Sequence, residues 1–383
     1  MAASPSQAEP RQVLVLQGGG ALGAYQAGVY EGLCEETLSP GWVAGISIGA
    51  INAAIIAGNP PERRLERLKA FWDRTSSAAT ALPLTADGRS RSLFNEMSAA
   101  WIAATGVPGF FRPRFGAPIS YPDGTPEALS VYDTSPLRQT LEELVDFDLI
   151  KSRKVRLSVG AVNIETGHLK FFDNHRDEIG PDHILASGAL PPGLPPVKIE
   201  NQWWWDGGLV SNTPLDYVLD IAPEEDLLVF QVDLFNSAGE MPRNILEAAE
   251  REKEIRFASR RRNTERAMQL HEAKVALRRL IAKLPDEFCD DPEIKVLEAF
   301  SRENAVTVVQ LVYESRVWES NSKDYEFSRA TMLEHWAAGL ADAARTVADR
   351  KADLLKARRG ATTVLDSRKL DRQFHAKPHG DRP

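Results

Sequence analysis

A serine between two glycines, Gly45-Ile46-Ser47-Ile48-Gly49, stands where a short apolar run gives way to a run of small residues. A serine hydroxyl becomes a useful nucleophile when a sharp strand-to-helix turn lifts it clear of the sheet and a base takes its proton; flanking glycines remove the side chains that would clash in such a turn. A second glycine cluster, Gly18-Gly19-Gly20-Ala21-Leu22-Gly23, lies upstream. Glycines there let the backbone come close to a ligand, and amides at a helix start suit an anion such as the oxyanion of acyl transfer. The third feature is Asp206, in Trp203-Trp204-Trp205-Asp206-Gly207-Gly208. A carboxylate between an aromatic run and a glycine turn is partly desolvated, which raises its basicity.

Two other chemistries compete for these residues. The spacing Gly18, Gly20, Gly23 also fits a dinucleotide-binding loop. That loop needs an acid about 20 positions on, at the end of the second strand, to hold a ribose hydroxyl; here that strand ends in Ser47, which counts against the reading. An ordinary α/β-hydrolase would present serine, acid, then histidine, with its serine well into the sheet. The late histidines His271, His335, His375 and His379 fall in charged helical sequence or near the end of the chain and are expected to be solvated surface residues, which leaves Asp206 as the better base.

The elements that must position these groups follow from the pattern. Gln12 to Gln17 reads as a buried strand, Ala21 to Glu36 as a helix, Trp42 to Ile46 as a second strand and Ile48 to Ala57 as a small-residue helix. Such alternation predicts a parallel sheet with helices on its faces. Glu62 to Arg74 and Ser135 to Leu144 are expected as helices, and Val155 to Ile164, His168 to Asp173 and Asp226 to Leu234 as strands. Between them, 81–132 is irregular and carries Phe94, Trp101, Phe110, Phe111 and Phe115, as expected of an ordered cap over the site. Beyond it, Pro242 to Leu284 reads as one long or kinked helix with a stripe of Leu270, Ala273, Leu277 and Leu280. Val306 to Tyr313 is expected as a late strand and Phe327 to Leu355 as a helix. The expected organisation is a flexible N-terminus at 1–11, a catalytic domain at 12–240 with a cap-like insertion at 81–132, a mainly helical extension at 241–360 and a disordered tail at 361–383.

Composition bounds the rest. The chain has 383 residues, 43% hydrophobic and 26% charged, which is globular and excludes wholesale disorder and fibrous repeats. Its longest apolar stretch, Val43 to Ala57, is too short to cross a bilayer and contains Ser47 and Asn52. A net charge of −8 argues against bulk nucleic-acid binding. Cys34 and Cys289 make neither a disulfide framework nor a metal-ligand spacing, and the start has no apolar leader, so the cytoplasm is the expected address.

Taken together the residues resemble the patatin-like phospholipases. The match has four ordered parts: Gly18 to Gly23 continuing as AYQAGV, GISIG continuing as AINAA, ASGALPPGLPPV from Ala186 to Val197, and DGGLVSNTPL from Asp206. They span residues 12 to 235. The resemblance implies a three-layer α/β/α sandwich with a mostly parallel sheet, a mainly helical C-terminal extension, and a Ser-Asp dyad without histidine. Ser47 would be the nucleophile, Asp206 the base, and Gly18, Gly19 and Gly20 the oxyanion hole, supported by Gly23, Gly45, Gly49, Gly207 and Gly208. The family often carries Arg or Lys just before the last loop glycine, where this chain has Leu22.

The expected activity is lipid acyl-ester hydrolysis without metal or organic cofactor. The alternatives are an esterase or polyester hydrolase acting away from membranes, and an idle module that binds an anion or nucleotide. The segment 242–284 carries twelve Lys or Arg against six Glu, including Arg260-Arg261-Arg262, and could dock peripherally on anionic lipid at the inner membrane surface. Otherwise it is a structural or homo-oligomer-forming extension.

Overall fold

The computed structural model describes residues 9–77, 88–222, 225–236, 238–258, 261–288, 290–316, 319, 323–347, 351–355 and 362–366. Nine strands form the central sheet: β1 (Arg11–Leu16), β2 (Trp42–Gly45), β3 (Arg156–Asn163), β4 (Leu169–Asp173), β5 (Val197–Ile199), β6 (Gln202–Asp206), β7 (Leu227–Asp233), β8 (Val306–Val312) and β9 (Thr362–Asp366). Their order is β9-β8-β7-β1-β2-β3-β6-β5, with β4 also paired to β3. Pairings from β9 across to β3 are parallel; β3 with β6, β6 with β5 and β3 with β4 are antiparallel.

The central strands are buried on both faces, which is why they read as continuous apolar runs rather than alternating ones. Leu14, Leu16 and Val43 face the larger core, shared with α1 (Gly23–Glu35) and α2 (Ile48–Ala57). Val13, Val15, Trp42 and Ala44 face a second core closed by Leu215, Val218 and Met268. A sheet between two helical layers is therefore the architecture, as the sequence predicts. Each fully buried leucine of β1 contributes roughly 1.5–3 kcal/mol by leaving water.

Register places the chemistry. Leu16 pairs with Gly45, so the glycine loop after β1 and the turn after β2 leave the sheet at the same edge. Gly45 pairs with Val159 and Ala161 pairs with Asp206. Ser47, two residues beyond Gly45, is thus level with Asp206.

The C-terminal region is mainly helical, and it also completes the sheet. It includes α3 (Ile245–Phe257), α4 (Arg261–Ile281) and α5 (Arg329–Val347), while β8 lies directly against β7. Helices α1 and α5 meet backbone to backbone: a Cβ on Gly28 would collide with the Trp336 carbonyl, and one on Gly339 with the Tyr25 carbonyl. So close an approach requires glycine at both positions.

Several expectations change. The single helix over 242–284 is two, α3 and α4, and the face α4 buries is Thr264, Met268, His271, Lys274 and Val275, whereas Leu270 and Leu280 are exposed. Polar residues hold that face because each finds a partner: Lys274 pairs with Asp220, and the His271 ring nitrogen bonds the Asn304 carbonyl at 2.9 Å. In the segment expected to be irregular, Gly88–Thr105 is a helix, and Arg112–Pro113 pairs with Tyr132–Asp133. Residues 78–87 lie outside the described residues. The tail expected from 361 instead begins with β9, whose β-branched Thr-Thr-Val run pairs with β8; residues 367–383 lie outside the described residues, as do 1–8 of the expected flexible N-terminus, and Arg11 already belongs to β1.

Candidate active site

Ser47 is the residue before α2, and its backbone is held at φ 57°, ψ −125°, a conformation that non-glycine residues seldom adopt. Strain of this kind persists only where the surroundings over-determine it. Here they do. A Cβ on Gly45 would strike the backbone of Gly49, and one on Gly49 would strike the Leu16 carbonyl, so the turn closes only with glycine on both sides. The Ser47 amide donates to Ser187 Oγ at 3.0 Å, and Ser187 in turn donates to the Gly160 carbonyl at 2.7 Å.

Asp206 ends β6 and is 2% exposed. Burial pushes its carboxyl up to about 7, against the opposing effect of the Gly208 amide hydrogen bond (2.7 Å) and of the neighbouring Ser47 side chain. Gly207 and Gly208 permit this packing: a Cβ on Gly207 would sit 2.6 Å from the Gly160 carbonyl, and one on Gly208 3.1 Å from Asp206 Oδ1. The two residues singled out in the sequence thus line one cavity.

Gly18, Gly19 and Gly20 line the same cavity. The three are not equivalent. The Gly18 amide donates to the Asn212 carbonyl at 3.3 Å, and Asn212 Nδ2 returns a bond to the Gly18 carbonyl at 3.0 Å. Among the described residues, the Gly19 and Gly20 amides find no protein acceptor. Gly18 is instead required by crowding, since its Cβ would lie 3.0 Å from Ser47 Cβ. Leu22 is fully buried, so that position supplies no cation to the loop.

Sequence reasoning missed a strap from the C-terminal region. Lys323, itself buried, pairs with Glu250 (3.1 Å) and Glu254 (2.7 Å) of α3, and Lys253 of the same helix pairs with Asp324. The Asp324 carbonyl accepts the Ala21 amide at 2.8 Å. The carbonyl of Phe257, at the end of α3, accepts from both Gln17 Nε2 and Asn212 Nδ2 at 3.0 Å. Phe327 stacks on Trp72 with ring centres 6.4 Å apart. Asn212 lay inside the quoted DGGLVSNTPL block; nothing local in Lys323 to Phe327 marks it.

The cavity wall is mainly apolar, with Phe110, Phe111 and Tyr132 from the middle of the chain and Phe235, Phe257, Tyr325 and Phe327 from later in it. Of the aromatics expected to cap the site, Phe110 and Phe111 do line it, whereas Trp101 and Phe115 face solvent, Phe115 being 99% exposed. His271 and His335 are buried rather than solvated, and neither lines the cavity. His335 bonds Glu319 at 3.2 Å and sets its ring edge against Tyr313, so its burial is a packing role that periodicity alone does not reveal. His375 and His379 lie outside the described residues.

An α/β/α sandwich with a strained serine at a strand-to-helix turn, in one cavity with a buried carboxyl, has the layout of a serine hydrolase. The chain matches the family model described as patatin-like phospholipase over residues 14–219 and one described as patatin phospholipase over residues 255–356. It belongs to the patatin-like phospholipase family. A cGAMP-activated phospholipase of Pseudomonas aeruginosa (strain BWHPSA011 / Pa011) is 32% identical over 111 residues, 26% of this chain and 33% of that protein. The chain therefore spans about a third of the length of that curated relative. Among solved structures, VipD from Legionella pneumophila superposes with a TM-score of 0.38 at 14% identity, covering 91% of this chain and 67% of that one. The type III effector ExoU gives 0.33 at 12% identity, covering 92% and 55%. Likenesses at those scores carry no argument about function.

Proposed function

We propose that this protein is a lipid acyl-ester hydrolase in which Ser47 is the nucleophile and Asp206 the base. The observation that carries the reading is a buried carboxyl, brought to about 7 by burial, that lies level with the strained Ser47 across the sheet and lines the same cavity. A base near neutrality takes and returns a proton with little driving force lost either way. Asp206 accepts the Ser47 proton as Oγ attacks the ester carbonyl. The Gly19 and Gly20 amides receive the oxyanion. The protonated Asp206 then gives its proton to the departing alcohol, and the acyl-serine remains. Water, deprotonated by Asp206, attacks that ester and releases the fatty acid. The aromatic wall suits an acyl chain.

Peripheral docking through 242–284 at the inner membrane surface belongs to the same proposal. Its support is that Met241, Ile245, Leu270 and Leu280 are exposed beside basic residues. The test is labelling by a fluorophosphonate probe followed by a panel of phospholipid, diacylglycerol and aliphatic polyester. Labelling at Ser47 with release of fatty acid is expected; a protein that neither labels nor cleaves any ester is a binder.

A further inference from the structure

Asn212 stands between the glycine loop and the Asp206 turn, and the two ends of its side-chain amide do different things. Both Nδ2 hydrogens are committed, to the carbonyls of Gly18 and Phe257 at 3.0 Å each. That fixes which end points where, because the reversed amide would set its oxygen against two carbonyl oxygens. Oδ1 keeps its lone pairs free: among the described residues nothing donates to it.

The free oxygen faces the reacting groups. A Cβ on Gly18 would lie 2.4 Å from Asn212 Oδ1 and 3.0 Å from Ser47 Cβ, and one on Gly208 would lie 2.8 Å from Asn212 Oδ1 and 3.1 Å from Asp206 Oδ1. Asn212 Oδ1 and Asp206 Oδ1 are therefore separated by no more than about two hydrogen-bond lengths, the span that a single water bridges. Asn212 also lines both the acyl cavity and a second cavity of about 670 Å³. The second carries Ser211, Thr213, Asp216 and Glu252 on its wall, and such a polar wall holds water while an acyl chain fills the apolar cavity.

Hydrolysis of the acyl-serine makes a demand that its formation does not. Asp206 takes one hydrogen of the attacking water as the oxygen bonds to the acyl carbon and the carbonyl pair moves to the oxyanion. Collapse then breaks the bond to Ser47 Oγ, and Asp206 returns the proton there. The second hydrogen stays on the product acid and needs its own acceptor. An alcohol, leaving or attacking, carries carbon in that place.

We infer that Asn212 is a further catalytic residue, whose Oδ1 accepts the second hydrogen of the hydrolytic water and so aims it at the acyl-enzyme. The inference rests on the hydrolase reading. Competition between water and methanol for one acyl-enzyme tests it: p-nitrophenyl hexanoate is turned over at a fixed methanol concentration, and methyl hexanoate is measured against hexanoic acid. That ratio is blind to the acylation rate and to the amount of folded protein. Asn212→Leu and the smaller Asn212→Val should each raise it roughly three- to tenfold, as the loss of one neutral hydrogen bond supplies. Asn212→Asp, which keeps an acceptor oxygen, should stay near the wild-type ratio. An unchanged ratio in the apolar variants, or the same rise in Asn212→Asp, confines Asn212 to holding the loop and overturns the inference while leaving the hydrolase reading in place. A wild-type protein that releases no p-nitrophenol and takes no fluorophosphonate at Ser47 sinks both.

Discussion

The backbone carbonyl of Asp324 occupies the space that a side chain on Gly20 would need, while Gly20 itself sits at φ 56°. A residue late in the chain thereby fixes the loop that faces Ser47.

That contact is held from behind by Lys253, so removing its charge leaves Asp324 without its ion pair in a mostly buried site. Lys253→Met should cost about 1–3 kcal/mol of stability and lower kcat more than it raises KM, because the loop loosens around the oxyanion. Thermal melts with steady-state kinetics check it; loss of stability with kcat intact would confine the pair to a structural role.

Ser47→Ala and Asp206→Asn should each abolish ester hydrolysis, and the double variant should be no worse, since groups that act as a unit are not additive. Changing His271 or His335 to Ala should lower stability and leave the catalytic steps in place. Near-normal turnover by Asp206→Asn is the result that sinks the dyad.

The pH dependence has a defined sign. Below about 7 Asp206 is protonated and cannot act as base, so kcat/KM should rise with pH through that value and level off above it. Stability should run the other way. Between about 4, where an unfolded aspartate ionises, and 7, the folded state holds a proton that the unfolded state has lost, so this group's contribution falls as pH rises. Asp206→Asn should therefore melt higher than wild type at pH 8 while being inactive. A melting point lower than wild type at that pH counts against a desolvated carboxyl.

The loop glycines should separate in their effects. Gly19→Ala pushes a methyl to 2.7 Å from Leu234 Cδ1, a side chain that can give, so the main effect should be a fall in kcat. Loss of one oxyanion donor costs ~10²–10³ in kcat. Gly20→Ala meets a fixed carbonyl at a positive φ and should lose stability as well. A change confined to KM in Gly19→Ala would move that amide from oxyanion binding to substrate binding.

Co-sedimentation with vesicles tests the basic region. Arg260 lies outside the described residues and the side chains at 261 and 262 are not described, so the expectation rests on the sequence and on exposed Leu270 and Leu280. Binding should require anionic lipid, weaken as salt screens it, and fall sharply when Arg260, Arg261 and Arg262 become Ser together. Equal binding to neutral vesicles, or none at low salt, would leave α3 and α4 as a structural extension.

Ser47, the glycine loop and Asp206 were legible in the sequence because turn geometry dictates residue type within five or six positions. The order of β1, α1, β2 and α2 was legible for the same reason. What escaped depends on partners far away in the chain. Lys323 and Asp324 look like any charged loop until Glu250, Glu254 and Lys253 are placed beside them. His271 and His335 looked solvated because their neighbours in sequence are charged, while their neighbours in space are Asn304 and Glu319. Helix Gly88–Thr105 was missed because Leu93, Met97 and Trp101 are spaced for a helix yet left exposed, so no core-facing stripe marks it.

The backbone contact between α1 and α5 bears on how the polypeptide is made. Synthesis delivers Ser47 and Asp206 long before residues 306–347 exist. Until then β7 offers an open hydrogen-bonding edge and α1 shows a bare glycine face where Gly28 will meet Trp336. A nascent chain in that interval lacks the Asp324 carbonyl against which Gly20 packs, and it carries an unpaired strand edge of the kind that pairs with other chains. The glycine loop therefore takes its final shape only after the C-terminal region has been made.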